Sequence, residues 1–467
     1  MHNAGTQEPP ELVRLPLRAR LDAFARGGVD PADWAEQANA WSFVADERYR
    51  ATTLLCPVEP ADPPVRLGVK DTVDVARLPT RLGLRRHRGY PERSAAALDG
   101  VTGAVVNAKL VTTELSLGLE HGCVNPYFPH LDPAGSSTGC AVAVAAGISD
   151  LAMGTDSVAS VRLPAAACGV VGLRLTHDPR LLDGLYRLSD RLDAPGWLTR
   201  TVDDLDVLCR SGALGARLAA DGRRPDGAWR IGVPEEVLAD RMLPEVRADY
   251  DRVRAAVEAA GAELVPVRLG ELFRRRALAY ELCAKDAFDA YVRWRAGGYG
   301  EADEPAPSTR RALEMGAAVG PDRHAELIAV HERHRALARR LFAEDRVDGW
   351  LMPAGTLLPR NLHTEAAPET TIRTADPETT AGPGDEGDDD GYDGVNYATM
   401  AAFAGLPALN FPLAYDAGHE APLGMQLIGP PDTEPALIAL ASFVTGAAGT
   451  ATHYLGRPSK WPAGEGR

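Results

Sequence analysis

Two loops of small residues carry the chemistry this sequence can offer. One reads Pro133-Ala134-Gly135-Ser136-Ser137-Thr138-Gly139 and the other Gly154-Thr155-Asp156-Ser157-Val158-Ala159-Ser160, so Ser136 and Ser160 stand 24 residues apart. A serine hydroxyl is a weak nucleophile until a base takes its proton. Small neighbours let backbone N–H groups turn toward a developing oxyanion, often the largest single aid in acyl transfer. Of the 50 basic residues only four are lysines, Lys70, Lys109, Lys285 and Lys460. A desolvated lysine can lose its proton where arginine cannot, and an uncharged lysine is the base in Ser–Lys variants of the catalytic triad. Two other readings of the loops stay open at this point. Gly135 to Gly139 satisfies G-x-S-x-G, the nucleophile elbow of α/β hydrolases, with Ser137 at its centre; that fold needs a later Asp and then a His, and His363 and His453 stand in no motif. The serines are also small enough simply to permit tight helix–strand packing.

The elements that must position these loops alternate between α and β patterns. Val65 to Asp71 has the short apolar alternation of a strand, ending at Lys70, and Asp150 to Asp156 reads as a buried strand between the two serine loops. Cys140 to Gly147 is an Ala/Val helix suited to close packing, and Cys168 to Thr176 follows the second loop. Helical patterns cover about Leu17 to Phe43, with Pro31 after Asp30 as a start signal, then Ala95 to Lys109, Leu243 to Ala260 stopped by Gly261, Leu272 to Arg295 and Pro321 to Phe342. Trp229 to Pro234, Ala262 to Val267 and Val347 to Pro353 read as strands, and 395–450 as a helix, a strand and a helix. The expected fold is α/β, a single large domain with a central mixed sheet covered by helices. Residues 1–60 form an N-terminal helical segment packed on a main domain of 61–455, and 456–467 a C-terminal tail.

Composition excludes several classes. The chain has 467 residues, 45% hydrophobic and 25% charged, with a net charge of -15. Nucleic acids and anionic membranes call for a basic footprint, so neither is an expected partner. No apolar run approaches the roughly 20 residues of a membrane span, and the N-terminus lacks the pattern of a signal peptide, so the cytoplasm is the expected location. The six cysteines form no CxxC pair and read as buried free thiols. His331-Glu332-Arg333-His334 spaces its histidines i, i+3 rather than the i, i+4 of a zinc helix, and reads as a solvated helix face. Residues 360–394 read as a flexible acidic insertion, with five acids in Asp385 to Asp390. A lid is the functional alternative, and the spaced ligands of a calcium loop are missing.

Taken together, Val69-Lys70-Asp71, Ala134 to Gly139, Gly154 to Pro164 and Cys168 to Arg174 resemble the amidase signature family, whose pattern is approximately VKD, GGSSGG and GTDxGGSxRxPAxxCGxxGxKPT. Asn396 to Leu413 and Pro422 to Pro431 resemble its closing segments, so the likeness runs from about Leu17 to Gly446. The resemblance implies an amidase that forms an acyl-enzyme on Ser160, with Ser136, held in a cis peptide, relaying the proton to Lys70 as base. It implies an oxyanion hole from the N–H groups of Ser157, Val158, Ala159 and Ser160, with Asp156 and Arg162 supporting the loops. It implies no metal or organic cofactor, a small-molecule amide or acyl substrate, and leaves a homodimer open. His121 is a candidate for the pocket wall.

The pattern is broken at named places. Val158-Ala159 stands for Gly-Gly, Thr138 for a glycine, Cys140 for a small serine and Arg174-Leu175 for Lys-Pro. A β-branched valine is a poor fit wherever φ must be positive, and bulk there narrows the acyl pocket or displaces a donor. Besides hydrolysis the sequence therefore admits transfer of the acyl group to another acceptor, a subunit that takes ammonia from glutamine, and a non-catalytic binding protein on the same fold.

Overall fold

The computed structural model describes residues 8–62, 64–210, 227–298, 304–364 and 397–449. The acidic run Asp385 to Asp390, most of the expected 360–394 insertion, His453 and the 456–467 tail lie outside them. Among the described residues eleven strands form one sheet: β1 (Thr52–Leu55), β2 (Val65–Lys70), β3 (Ala104–Leu110), β4 (Leu151–Asp156), β5 (Val171–Arg174), β6 (Ala194–Thr199), β7 (Arg230–Pro234), β8 (Glu263–Val267), β9 (Gly349–Pro353), β10 (Ala408–Asp416) and β11 (Ala421–Ile428), in the order β1-β3-β2-β4-β6-β5-β10-β11-β9-β7-β8. The sheet is mixed, with β2 parallel to both β3 and β4 and β6 antiparallel to β4 and β5.

Alternation along the strands sorts the core into two apolar layers. Leu151 and Met153 of β4 and Trp197 of β6 enter one layer, with the helices Pro244–Ala259 and Glu434–Ala448. Ala152 and Leu198 enter the other, with Pro31–Tyr49 and Thr138–Ala146. A third cluster joins the helices Leu278–Ala296 and Pro307–Ala318 to Leu117, Val158, Leu188 and Leu192 from the loops. The α/β expectation is met, and Asp30 caps its helix by accepting from the N–H groups of Ala32 and Asp33.

Three expected elements differ. The stretch Ala95 to Lys109 is not a helix; it holds one 3₁₀ turn and then β3. Gly100 and Gly103 adopt φ of +77° and +73°, which ends helical winding, and Val105 and Val106 pair in parallel with β2. The 395–450 region contains a β10/β11 hairpin where one strand was expected. His331 and His334 are buried, with only Glu332 and Arg333 facing solvent, so the helix face is solvated in part. His331 Nδ1 donates to the Phe403 carbonyl at 2.8 Å. All six cysteines are free, five of them buried. Among the described residues no helix is long and apolar enough to cross a membrane.

Candidate active site

Lys70 is the last residue of β2, and the two serine-bearing loops lie beside it at the same edge of the sheet. Because β2, β3 and β4 are parallel, their carboxyl ends face one way, where open α/β sheets place their chemistry. The second loop leaves β4 directly at Asp156, while the first enters the helix Thr138–Ala146. That helix starts hard against the sheet. A Cβ on Gly139 would stand 2.4 Å from the Val111 nitrogen and 2.5 Å from the Ala51 carbonyl oxygen, so only glycine fits.

The peptide Gly135–Ser136 is cis. Just before it, Ala134 adopts φ +59°, a conformation that costs an L-residue about 1–2 kcal/mol. The residue is held there from both sides. Its N–H donates to Asp132 Oδ1 at 2.8 Å, and its carbonyl accepts from Thr138 Oγ1 at 2.5 Å. Thr138, at a glycine position of the pattern, thus closes the turn that presents Ser136.

Lys70 is fully buried, and its Nζ donates to Ser136 Oγ at 2.7 Å and to Thr155 Oγ1 at 2.9 Å. Burial pulls its pKa down to about 8, against the opposing pull of Cys140, Asp193 and Asp156. A lysine there is readily neutral, and the same contact reversed lets the Ser136 hydroxyl give its proton to Nζ. Thr155 was not singled out in the sequence. Its place beside Asp156 in the Gly-Thr-Asp motif was the available signal.

Ser160 is half-exposed, in contrast to buried Lys70 and Ser136, and its carbonyl accepts from the Ser137 N–H at 3.2 Å. Among the described residues, the N–H groups of Ser157, Val158, Ala159 and Ser160 donate to no acceptor; the next one, of Val161, reaches Asp156 Oδ2 at 3.4 Å. Four consecutive free amides at a loop before a helix make a ready cradle for negative charge. Ser137 is fully buried, and its Oγ donates to the Thr155 carbonyl at 3.3 Å, so it packs the loop instead of presenting a nucleophile.

Asp156 is fully buried and accepts from Arg162 Nε and Nη2 and from Arg174 Nη1, each at 3.0 Å. Burial alone would raise its pKa, but the two guanidinium groups outweigh it and hold the carboxyl at about 2. Arg162 also ties the Ala398 carbonyl at 2.7 Å, Gln426 Oε1 at 2.8 Å and the Val158 carbonyl at 2.8 Å. Arg174, at a lysine position of the pattern, adds a bond to the Leu192 carbonyl at 2.7 Å.

Val158 and Ala159 both lie outside the left-handed region of φ, so neither needs to be glycine for its backbone. Val158 belongs to the apolar cluster with Leu117, Leu188, Leu192 and Phe403. Val158→Gly is accordingly expected to lower stability by about 2–3 kcal/mol, through lost burial and a freer unfolded chain. Urea denaturation beside a serine-probe assay checks this; a more stable variant would show that the valine is strained.

His121 lines a cavity of about 540 Å³ with Glu120, Asp132, Arg311 and Arg360. Its Nε2 meets Asp132 Oδ1 at 3.1 Å and its Nδ1 accepts from the Cys123 N–H at 3.0 Å. His363 lies exposed in a turn. No cluster of three or more His, Cys, Asp or Glu side chains suited to a metal ion occurs among the described residues.

Residues 64–438 match the family described as Amidase. The chain belongs to the amidase family. It is 30% identical to a glutamyl-tRNA(Gln) amidotransferase subunit of Rhodopseudomonas palustris (strain BisA53), over 91% of this chain and 90% of that protein. It is 31% identical to the 2-amino-5-chloromuconic acid deaminase of Comamonas testosteroni, over 72% and 69% respectively. An amidase crystal structure superposes with a TM-score of 0.75 at 25% identity, covering 92% of this chain and 99% of that one. The 6-aminohexanoate cyclic dimer hydrolase with bound substrate gives a TM-score of 0.76 at 20% identity, covering 94% and 98%, a likeness of fold. Against the amidase pattern, this chain's departures leave Lys70, Ser136 and Ser160 at the pattern's positions.

Proposed function

We propose that this amidase cleaves the amide bond of a small molecule through an acyl-enzyme on Ser160. The observation that carries the reading is the buried Lys70 Nζ, 2.7 Å from Ser136 Oγ with its basicity lowered by burial. Ser160 Oγ attacks the substrate carbonyl carbon as its proton passes to Ser136 Oγ and the Ser136 proton passes to neutral Lys70. The carbonyl oxygen takes the negative charge and is met by the free N–H groups of Ser157 to Ser160. Collapse breaks the C–N bond, and the amine leaves with the proton returned through Ser136. Water then repeats the sequence on the ester and releases the acid. Asp156 and Arg162 hold the loop and stay out of the proton path. Free thiols fit a reducing cytoplasm.

A fluorophosphonate serine probe followed by peptide mapping tests the reading. Labelling is expected at Ser160, with a rate that rises with pH through about 8, because Lys70 accepts a proton only after losing its own. Labelling at Ser137, or none in folded protein, refutes it; a rate independent of pH between about 6 and 9 refutes lysine as the base. A second reading follows from the similarity to a glutamyl-tRNA(Gln) amidotransferase chain: the same acyl-enzyme would form on glutamine and release ammonia to a partner chain. Glutamine turnover that appears only with partner chains present would favour it.

A further inference from the structure

One buried acid beside the oxyanion loop is not used by the mechanism above. Asp193 immediately precedes β6, and the β4/β6 register pairs Asp156 with Ala194, so one step past that pair Asp193 stands across from Ser157. The main chain of Asp193 is pinned. Its N–H donates to the Ser189 carbonyl at 3.0 Å, and its carbonyl accepts from His177 Nδ1 at 2.8 Å. Of the carboxylate oxygens, Oδ2 accepts from the Leu188 N–H at 2.8 Å, while Oδ1 is buried with no hydrogen-bond partner among the described residues. Leaving such an oxygen unpaired is costly. The Ser157 hydroxyl is the side chain that most favours its ionised form, although it makes no hydrogen bond of normal geometry to Oδ1.

We propose that Asp193 is a positioning residue for acyl transfer: its unpaired carboxylate oxygen accepts the Ser157 hydroxyl and so fixes the peptide that opens the oxyanion hole. The inference rests on Ser160 as the acylated residue. It has a consequence for pH. Burial raises the Asp193 pKa to about 6, against Ser157, the Leu188 and Ser189 amides and the Arg174 guanidinium. Lys70 from β2, Tyr186 and Cys283 also feel its charge. Below that value the carboxyl holds a proton, and the acceptor for Ser157 is weakened. The acid limb of kcat/KM therefore gains a second step beneath the one due to Lys70, steepening from a slope of about one to about two.

The test compares wild type, Asp193→Asn, Ser157→Ala and the double variant by steady-state amide hydrolysis, by fluorophosphonate labelling of Ser160 and by thermal unfolding. The expected result is a kcat about 10- to 100-fold lower in each single variant with KM little changed, a double variant no worse than the poorer single one, and an acid limb that keeps a slope of about one in all three variants while that of wild type steepens to about two. A side chain that merely supports the fold would lower the melting temperature and the titratable active fraction without changing the slope. Should Asp193→Asn fail to fold, Ser157→Ala decides. A folded Ser157→Ala enzyme with wild-type kcat and a two-step acid limb overturns the proposal. Wild type that does not label at Ser160 refutes the acyl-enzyme reading and this inference with it; labelling that is normal in wild type and unchanged in both variants refutes the inference alone.

Discussion

Ser160→Ala is expected to abolish covalent labelling and to lower kcat by about 10⁴-fold or more, and Lys70→Ala to come within about tenfold of that loss. The argument turns on where each group sits. Lys70 has no exposed surface, so nothing in solvent replaces it as proton acceptor for Ser136. Lys70→Arg should be as inactive as the alanine variant, because a guanidinium stays protonated. Residues that act as one unit are not additive, so Lys70→Ala with Ser136→Ala should be no slower than the worse of the two alone. The variants also need a stability check. Removing Nζ leaves the Ser136 and Thr155 hydroxyls without that donor, which costs about 1–3 kcal/mol. Circular dichroism and a melting curve separate misfolding from lost chemistry. Turnover that survives in Ser160→Ala, or full activity in Lys70→Arg, would sink the assignment.

The second large effect is structural. Asp156→Asn removes the negative charge that bonds both Arg162 and Arg174, each of them fully buried. Breaking a buried pair in this way typically costs about 3–5 kcal/mol, a large part of the 5–15 kcal/mol that holds an ordinary domain together. Four segments would loosen at once, since Arg162 ties the Val158 and Ala398 carbonyls and Gln426, and Arg174 ties Leu192. Chemical denaturation should show the midpoint falling sharply, with activity lost before global unfolding. The folded-state pKa of Asp156 is depressed, so its stabilisation is present above about pH 4 and disappears as pH falls through about 2. A change below about 1 kcal/mol would mean that water or relaxation replaces the carboxylate.

Much of the molecule was legible in the chain. Short apolar runs marked β2, β4, β7, β8 and β9, because a strand's apolar residues lie within a few positions of one another in the chain. The helix expected over Ala95 to Lys109 failed for a non-local reason: Val105 and Val106 become strand residues by pairing with Val65 to Lys70, some forty residues earlier. The second strand of the β10/β11 hairpin was missed at a turn over 417–420 that carries no proline and a single glycine.

What the sequence by itself determined was which side chains are present at matching spacing: Lys70, Ser136, Ser160 and the small residues between them, with a likeness specific enough to name the family. The tertiary structure decided their properties. Lys70 becomes a weaker base of about 8 only because the assembled sheet and loops exclude water from its amine. Val158 is tolerated because its φ is ordinary and an apolar layer receives its side chain, neither of which can be read from the letter V. Thr155 and Asp193 acquire significance because strand register sets them beside Lys70 and Ser157. Motif spacing follows from the chain, whereas proton affinity and backbone strain follow from burial and register, which exist only once the sheet is built.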